Sequence, residues 1–209
     1  MTYDIEINDQ VTLDFAASAF DFYAMYFGSP PDSLWPYYFV MGPHCMIEQI
    51  TIGKMYIITL QPQFQKPEQQ IIAIAHEMYH RVSKPIRRGR LVAELWVEEM
   101  MASRAAYKFM EANGYGSYVD LDLKYMATLS GRLTVSELKA VRYQRKRLRM
   151  TVHEYPKGFY HSINLLAAQV DEIVGWEAMC RIVSCVTWSE WFRTLPDDQC
   201  NRVRELLEL

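Results

Sequence analysis

Apolar and polar positions follow two different periods along this chain, and the change falls near residue 68. Residues 14–27 carry apolar side chains at helical spacing and run into the breaker Gly28-Ser29-Pro30-Pro31, which predicts an early helix. The run at 37–41 is aromatic and β-branched and predicts a short strand, with a second expected at about 46–51. Residues 54–60 alternate between Gly53 and Pro62 and form the clearest strand pattern in the chain. From Glu68 the spacing turns helical. Ile71, Ile72, Ile74, Ala75, Met78, Tyr79 and Val82 leave little polar surface, so this helix is expected to be enclosed on most sides and to end before Pro85.

A short basic linker, residues 84–90, leads to a second strong helical pattern at 91–112, stopped by Asn113-Gly114. Residues 119–129 also read as helical. Thr134-Val135-Ser136-Glu137 is a capping box that should open a basic helix reaching about residue 150. After a turn at 153–158, an amphipathic helix is expected at 159–174, closed by Gly175, and another at 176–186. Thr187-Trp188-Ser189-Glu190 is a second capping box, and the tail from Asp197 a last short helix. The expected fold class is α+β and mostly helical. It would be a single domain, 1–209, with a small mixed α/β lobe at 1–84 and a helical lobe at 85–209.

Inside the enclosed helix stands His76-Glu77-Met78-Tyr79-His80, an HExxH motif, with Glu99 following after eighteen intervening residues. On a helix, two histidines four apart point from one face and can take two corners of a tetrahedral zinc, with Glu77 beside them. Two histidines and a glutamate on a largely apolar helix need partners, because burying them unpaired costs several kcal/mol. A pair of hydrogen-bonded core histidines is the plainer alternative. Glu94, Glu98 and Glu99 on the next helix are the candidates for a third ligand, and periodicity does not choose between them. Glu98 and Glu99 lie about 100° apart, so only one of those two faces a metal in the usual way.

Composition narrows the setting. The 209 residues are 50% apolar and 13% aromatic, enough to bury a substantial core. A net charge of -3 argues against nucleic acid or an anionic membrane as partner of the whole molecule. The first ten residues carry three acidic side chains and no apolar run, unlike a secretory signal. No stretch approaches the length of a transmembrane helix. Cys45, Cys180, Cys185 and Cys200 lack CxxC spacing and read as reduced thiols of a cytoplasmic protein. The basic run from Arg142 to Arg149, with Tyr143, fits a solvated helix face, with nucleic acid or an acidic protein substrate as the alternatives.

Trp96-Val97-Glu98-Glu99-Met100-Met101-Ala102 is similar to the WLNEGFA segment of the aminopeptidase-N type gluzincins, and Ile74-Ala75-His76-Glu77 resembles their approach to the motif. Tyr155-Pro156-Lys157-Gly158 resembles their Tyr-x-Lys-Gly segment. The resemblance covers roughly residues 54–185. It implies a thermolysin-like zincin domain with His76, His80 and Glu99 as ligands of one zinc per chain. It also implies that Glu77 is the general base and that Tyr155 donates to the substrate's oxyanion. The family's Gly-x-Met-Glu-Asn motif for a free amino terminus is lacking, since residues 53–57 read Gly-Lys-Met-Tyr-Ile. A small stand-alone gluzincin, or a regulatory peptidase of the ImmA/IrrE type, is the better comparison. Where thermolysin-like relatives carry an Asp four residues past the third ligand, this chain has Ser103.

Together these readings predict a zinc-dependent peptidase acting on a peptide or protein substrate. Zinc would bring the pKa of its water near neutral, and Glu77 would take that water's proton and pass it to the leaving amine. The strand at 54–60 would pair with an extended peptide. His153, Tyr160 and His161 are rival oxyanion donors, and simple packing is the alternative role for Tyr155. The competing function is a non-catalytic peptide-binding or DNA-linked regulatory module on a peptidase-like fold.

Overall fold

In a computed structural model the described residues are 10–30, 37–41, 46–50, 55–60, 67–83, 89–141 and 155–209. They are mostly helical. Helices α1 (Gln10–Phe27) and α2 (Pro67–Ser83) flank in sequence three strands, β1 (Tyr37–Met41), β2 (Met46–Ile50) and β3 (Met55–Leu60). The strands form one sheet in the order β1-β3-β2, with β1 parallel and β2 antiparallel to the central β3. The register pairs Phe39 and Ile47 with opposite edges of Ile58. Then follow α3 (Leu95–Ala112), α4 (Gly116–Thr128), α5 (Val135–Ala140), α6 (Phe159–Val174), α7 (Trp176–Cys180), α8 (Trp188–Phe192) and α9 (Asp197–Leu207). No helix among the described residues is long and apolar enough to cross a membrane.

The chain divides into two compact units, residues 1–85 with 105–119, and residues 86–104 with 120–209. Helix α3 therefore contributes its first half to the second unit and its second half to the first. In the first unit α2 packs on α1 and on β2 and β3. The contact between α1 and α2 is aromatic: the Tyr79 ring meets Tyr23 edge-on at 6.1 Å and Phe27 at 5.6 Å. Phe109 of α3 closes against Phe22 at 5.9 Å. The Arg81 guanidinium lies 4.6 Å over the Phe20 ring, a cation–π contact that suits a cation only 2% exposed.

In the second unit α6 packs against α5, α7 and α9. Trp96 stacks on Trp188 with centroids 5.6 Å apart, and the Trp191 indole N–H donates to the Ala178 carbonyl at 2.8 Å. Arg104 and Asp171 form a buried ion pair, with Nε and Nη2 reaching the same carboxylate oxygen at 2.7 and 2.5 Å. Both predicted capping boxes are present, Thr134 with Glu137 and Thr187 with Glu190. Each hydroxyl satisfies an N-terminal amide, a contact typically worth about 1 kcal/mol. Met100 and Met101 are fully buried core residues.

Three predicted helices are broken or cut short. The pattern at 91–112 is a 3-10 turn, Leu91–Ala93, then α3, because Glu94 takes an extended conformation with ψ 126° and breaks the backbone ladder. The helix opened by Thr134 ends at Ala140, where Val141 turns extended with ψ 126°. The basic run 142–149 expected to prolong it lies outside the described residues. The segment 176–186 is α7 followed by a 3-10 turn, Arg181–Ser184, whose tighter winding carries the chain to Cys185.

Candidate metal centre

Helix α2 is enclosed almost all round. Residues 71, 73–75, 77–79 and 81–83 are buried, and the partly accessible positions include Gln69, Ile72, His76 and His80. Those four are spaced by three, four and four, which makes them one stripe along the helix. Both histidines of the motif thus sit on the stripe that water reaches. Their Nε2 atoms share a hydrogen bond at 3.0 Å, as the plainer alternative expects, and the ring centroids are 4.8 Å apart. Two nitrogens bound tetrahedrally at about 2.0–2.1 Å from one zinc stand about 3.3 Å apart, so the pair is within a few tenths of an ångström of ligand spacing.

Glu99, in the second turn of α3, is 5% exposed. His76, His80 and Glu99 together make up a group that could hold a metal ion. Two imidazoles and one carboxylate are a donor set that suits zinc while leaving a fourth position open. The residues present therefore fit the ion. Of the other carboxylates considered, Glu94 lies outside α3, is exposed, and accepts from the Trp96 indole N–H at 2.9 Å. Glu98 is on α3 and 1% exposed, rotated about 100° from Glu99. Glu77 is 6% exposed and lies between the histidines on α2, about 100° around the helix from the first of them.

Tyr155 comes to this group from the turn before α6. Its hydroxyl donates to Glu99 Oε1 at 2.9 Å. The ring stacks on Phe159, with centroids 4.5 Å apart and planes at 24°, and Tyr160 meets it edge-on at 5.0 Å. Burial first, then the charge of Glu99 and the neighbouring Tyr160, push the phenol far above its ordinary value, so it remains a proton donor at neutral pH. The turn is fixed by Gly158, which caps α6 at φ 86° and whose carbonyl accepts from Ser162 Oγ at 3.0 Å. The same Oγ accepts the Leu133 N–H at 2.7 Å.

Of the rival donors, Tyr160 is 41% exposed and His161 is half-buried in the first turn of α6, while His153 lies outside the described residues. Ser103, one turn beyond Glu99, is buried and its Oγ has no hydrogen-bond partner among the described residues, so it does not replace an orienting aspartate. Phe159 was not legible as part of the site. An aromatic four residues after Tyr155 was its only signal. No protein-family model matches the chain, and comparisons with curated proteins and with solved structures return no match.

Proposed function

We propose that this chain is a zinc-dependent peptidase of gluzincin type with a thermolysin-like catalytic core. The observation that carries the reading is the 3.0 Å separation of the His76 and His80 Nε2 atoms on α2, with Glu77 buried between them in sequence and Glu99 completing a set that could hold a metal. Zinc bound there would supply a Lewis acid that makes water nucleophilic near neutral pH and polarises a peptide carbonyl. His76, His80 and Glu99 are the residues that would hold it.

The Glu77 carboxylate accepts a proton from the attacking water as its oxygen bonds to the carbonyl carbon. As the C–N bond breaks, Glu77 delivers that proton to the amine nitrogen, so it leaves as a neutral amine. Tyr155 has a protonated phenol next to Glu99 and is the candidate donor to the developing oxyanion. The free thiols of Cys180, Cys185 and Cys200 suit a reducing, cytoplasmic setting, and the proposed substrate is a peptide or protein.

The test is cleavage of a quenched-fluorescent peptide library by zinc-loaded protein, beside Glu77→Gln. Expected is turnover that falls by at least about 100-fold in the variant while zinc content stays at one per chain. Turnover that persists in Glu77→Gln would refute the assigned chemistry. Bound zinc with no turnover on any peptide would favour a peptide-binding module instead.

A further inference from the structure

The phenol of Tyr155 carries one proton, and in this structure that proton is given to Glu99 Oε1 at 2.9 Å. A tyrosine serving only a substrate oxyanion has no need of that bond. We propose that Tyr155 is a positioning residue for the Glu99 carboxylate, fixing its orientation for metal binding before any substrate arrives. This rests on the metal-centre reading above and extends it.

A carboxylate has two oxygens and free rotation about its last bond. Anchoring Oε1 restricts that rotation and so holds both oxygens in one orientation. The Tyr155 ring is clamped between Phe159, stacked at 4.5 Å, and Tyr160, edge-on at 5.0 Å. Gly158 and the Ser162 hydroxyl fix the turn that delivers it. Groups that orient a metal's ligands typically contribute about 10–100-fold in metal affinity. The same hydroxyl reaches an oxyanion only by exchanging one acceptor for another, so the two roles are read by different measurements.

The experiment is zinc affinity of the metal-free full chain, by competition with a chromophoric chelator, for wild type, His80→Ala, Tyr155→Phe and Tyr155→Leu. Near-UV circular dichroism of each metal-free protein monitors the fold. Expected is one site in wild type, lost in His80→Ala, and about 10–100-fold weaker binding in Tyr155→Phe with an unchanged metal-free spectrum. Tyr155→Leu should lose at least as much. Wild-type affinity in Tyr155→Phe overturns the positioning role and leaves the metal centre standing. So does loss in the Leu variant alone, which would assign Tyr155 to packing. No zinc bound by wild type overturns the metal centre, and the positioning role with it.

Discussion

Gly158→Ala tests how tightly the turn carrying Tyr155 is built. Gly158 has φ 86°, and a Cβ built on it would lie 2.1 Å from the carbonyl oxygen of Gly131 and 3.1 Å from its carbonyl carbon. Placing an L-residue in the left-handed region costs about 1–2 kcal/mol. The contact adds to that, because the obstructing atom is backbone and cannot rotate away. Forcing a well-packed site open costs about 1–3 kcal/mol more. The sum is roughly 2–5 kcal/mol.

Gly131→Ala isolates the first part of this cost. Gly131 lies in the same unit, has φ 79°, and its added Cβ meets nothing within 4 Å. Urea denaturation followed by circular dichroism should therefore rank Gly158→Ala below Gly131→Ala by about 1–3 kcal/mol. In heat the gap corresponds to several degrees, at about 2–4 °C per kcal/mol for a chain of this size. Equal destabilisation of the two variants would mean that the Gly131–Gly158 approach is not as close as the structure has it.

Removing one partner of the buried Arg104–Asp171 pair, as in Arg104→Met, should destabilise by about 3–5 kcal/mol in urea, while Arg104→Met with Asp171→Leu recovers much of it. Thr134→Ala and Thr187→Ala should each cost about 1 kcal/mol by the same assay. Glu137 and Glu190 are held below the ordinary value of 4.5, Glu137 by the N–H of Thr134 and Glu190 by that of Val186. The stabilisation they give is complete above the unfolded value and is lost as pH falls through the folded one, so Glu137→Gln with Glu190→Gln should flatten the decline in melting temperature from about pH 6 to about pH 3. Cys180, raised by burial and then by Asp171 and Glu177, should react with iodoacetamide in native protein far more slowly than in urea.

The elements with strong local chemistry were legible in the sequence. Helix α6 runs from Phe159 to Val174 as expected, because its apolar stripe is regular and Gly175 ends it. The strands β1 and β3 follow their aromatic and β-branched runs. What periodicity could not see was a backbone break inside good helical residues. Glu94 sits in such a stretch and is extended, with its carboxylate taken by the Trp96 indole. The nearness of His76 and His80 followed from spacing alone, but Glu99 and Tyr155 lie 56 residues apart, and only the folded chain puts them at 2.9 Å.

X-ray absorption at the zinc edge of the zinc-loaded protein tests the central claim most directly. The proposed metal centre predicts nitrogen and oxygen neighbours at about 2.0–2.2 Å, with outer-shell scattering from two imidazoles that falls to one in His80→Ala. A sulfur shell at about 2.3 Å, or a spectrum unchanged by His80→Ala, would contradict it.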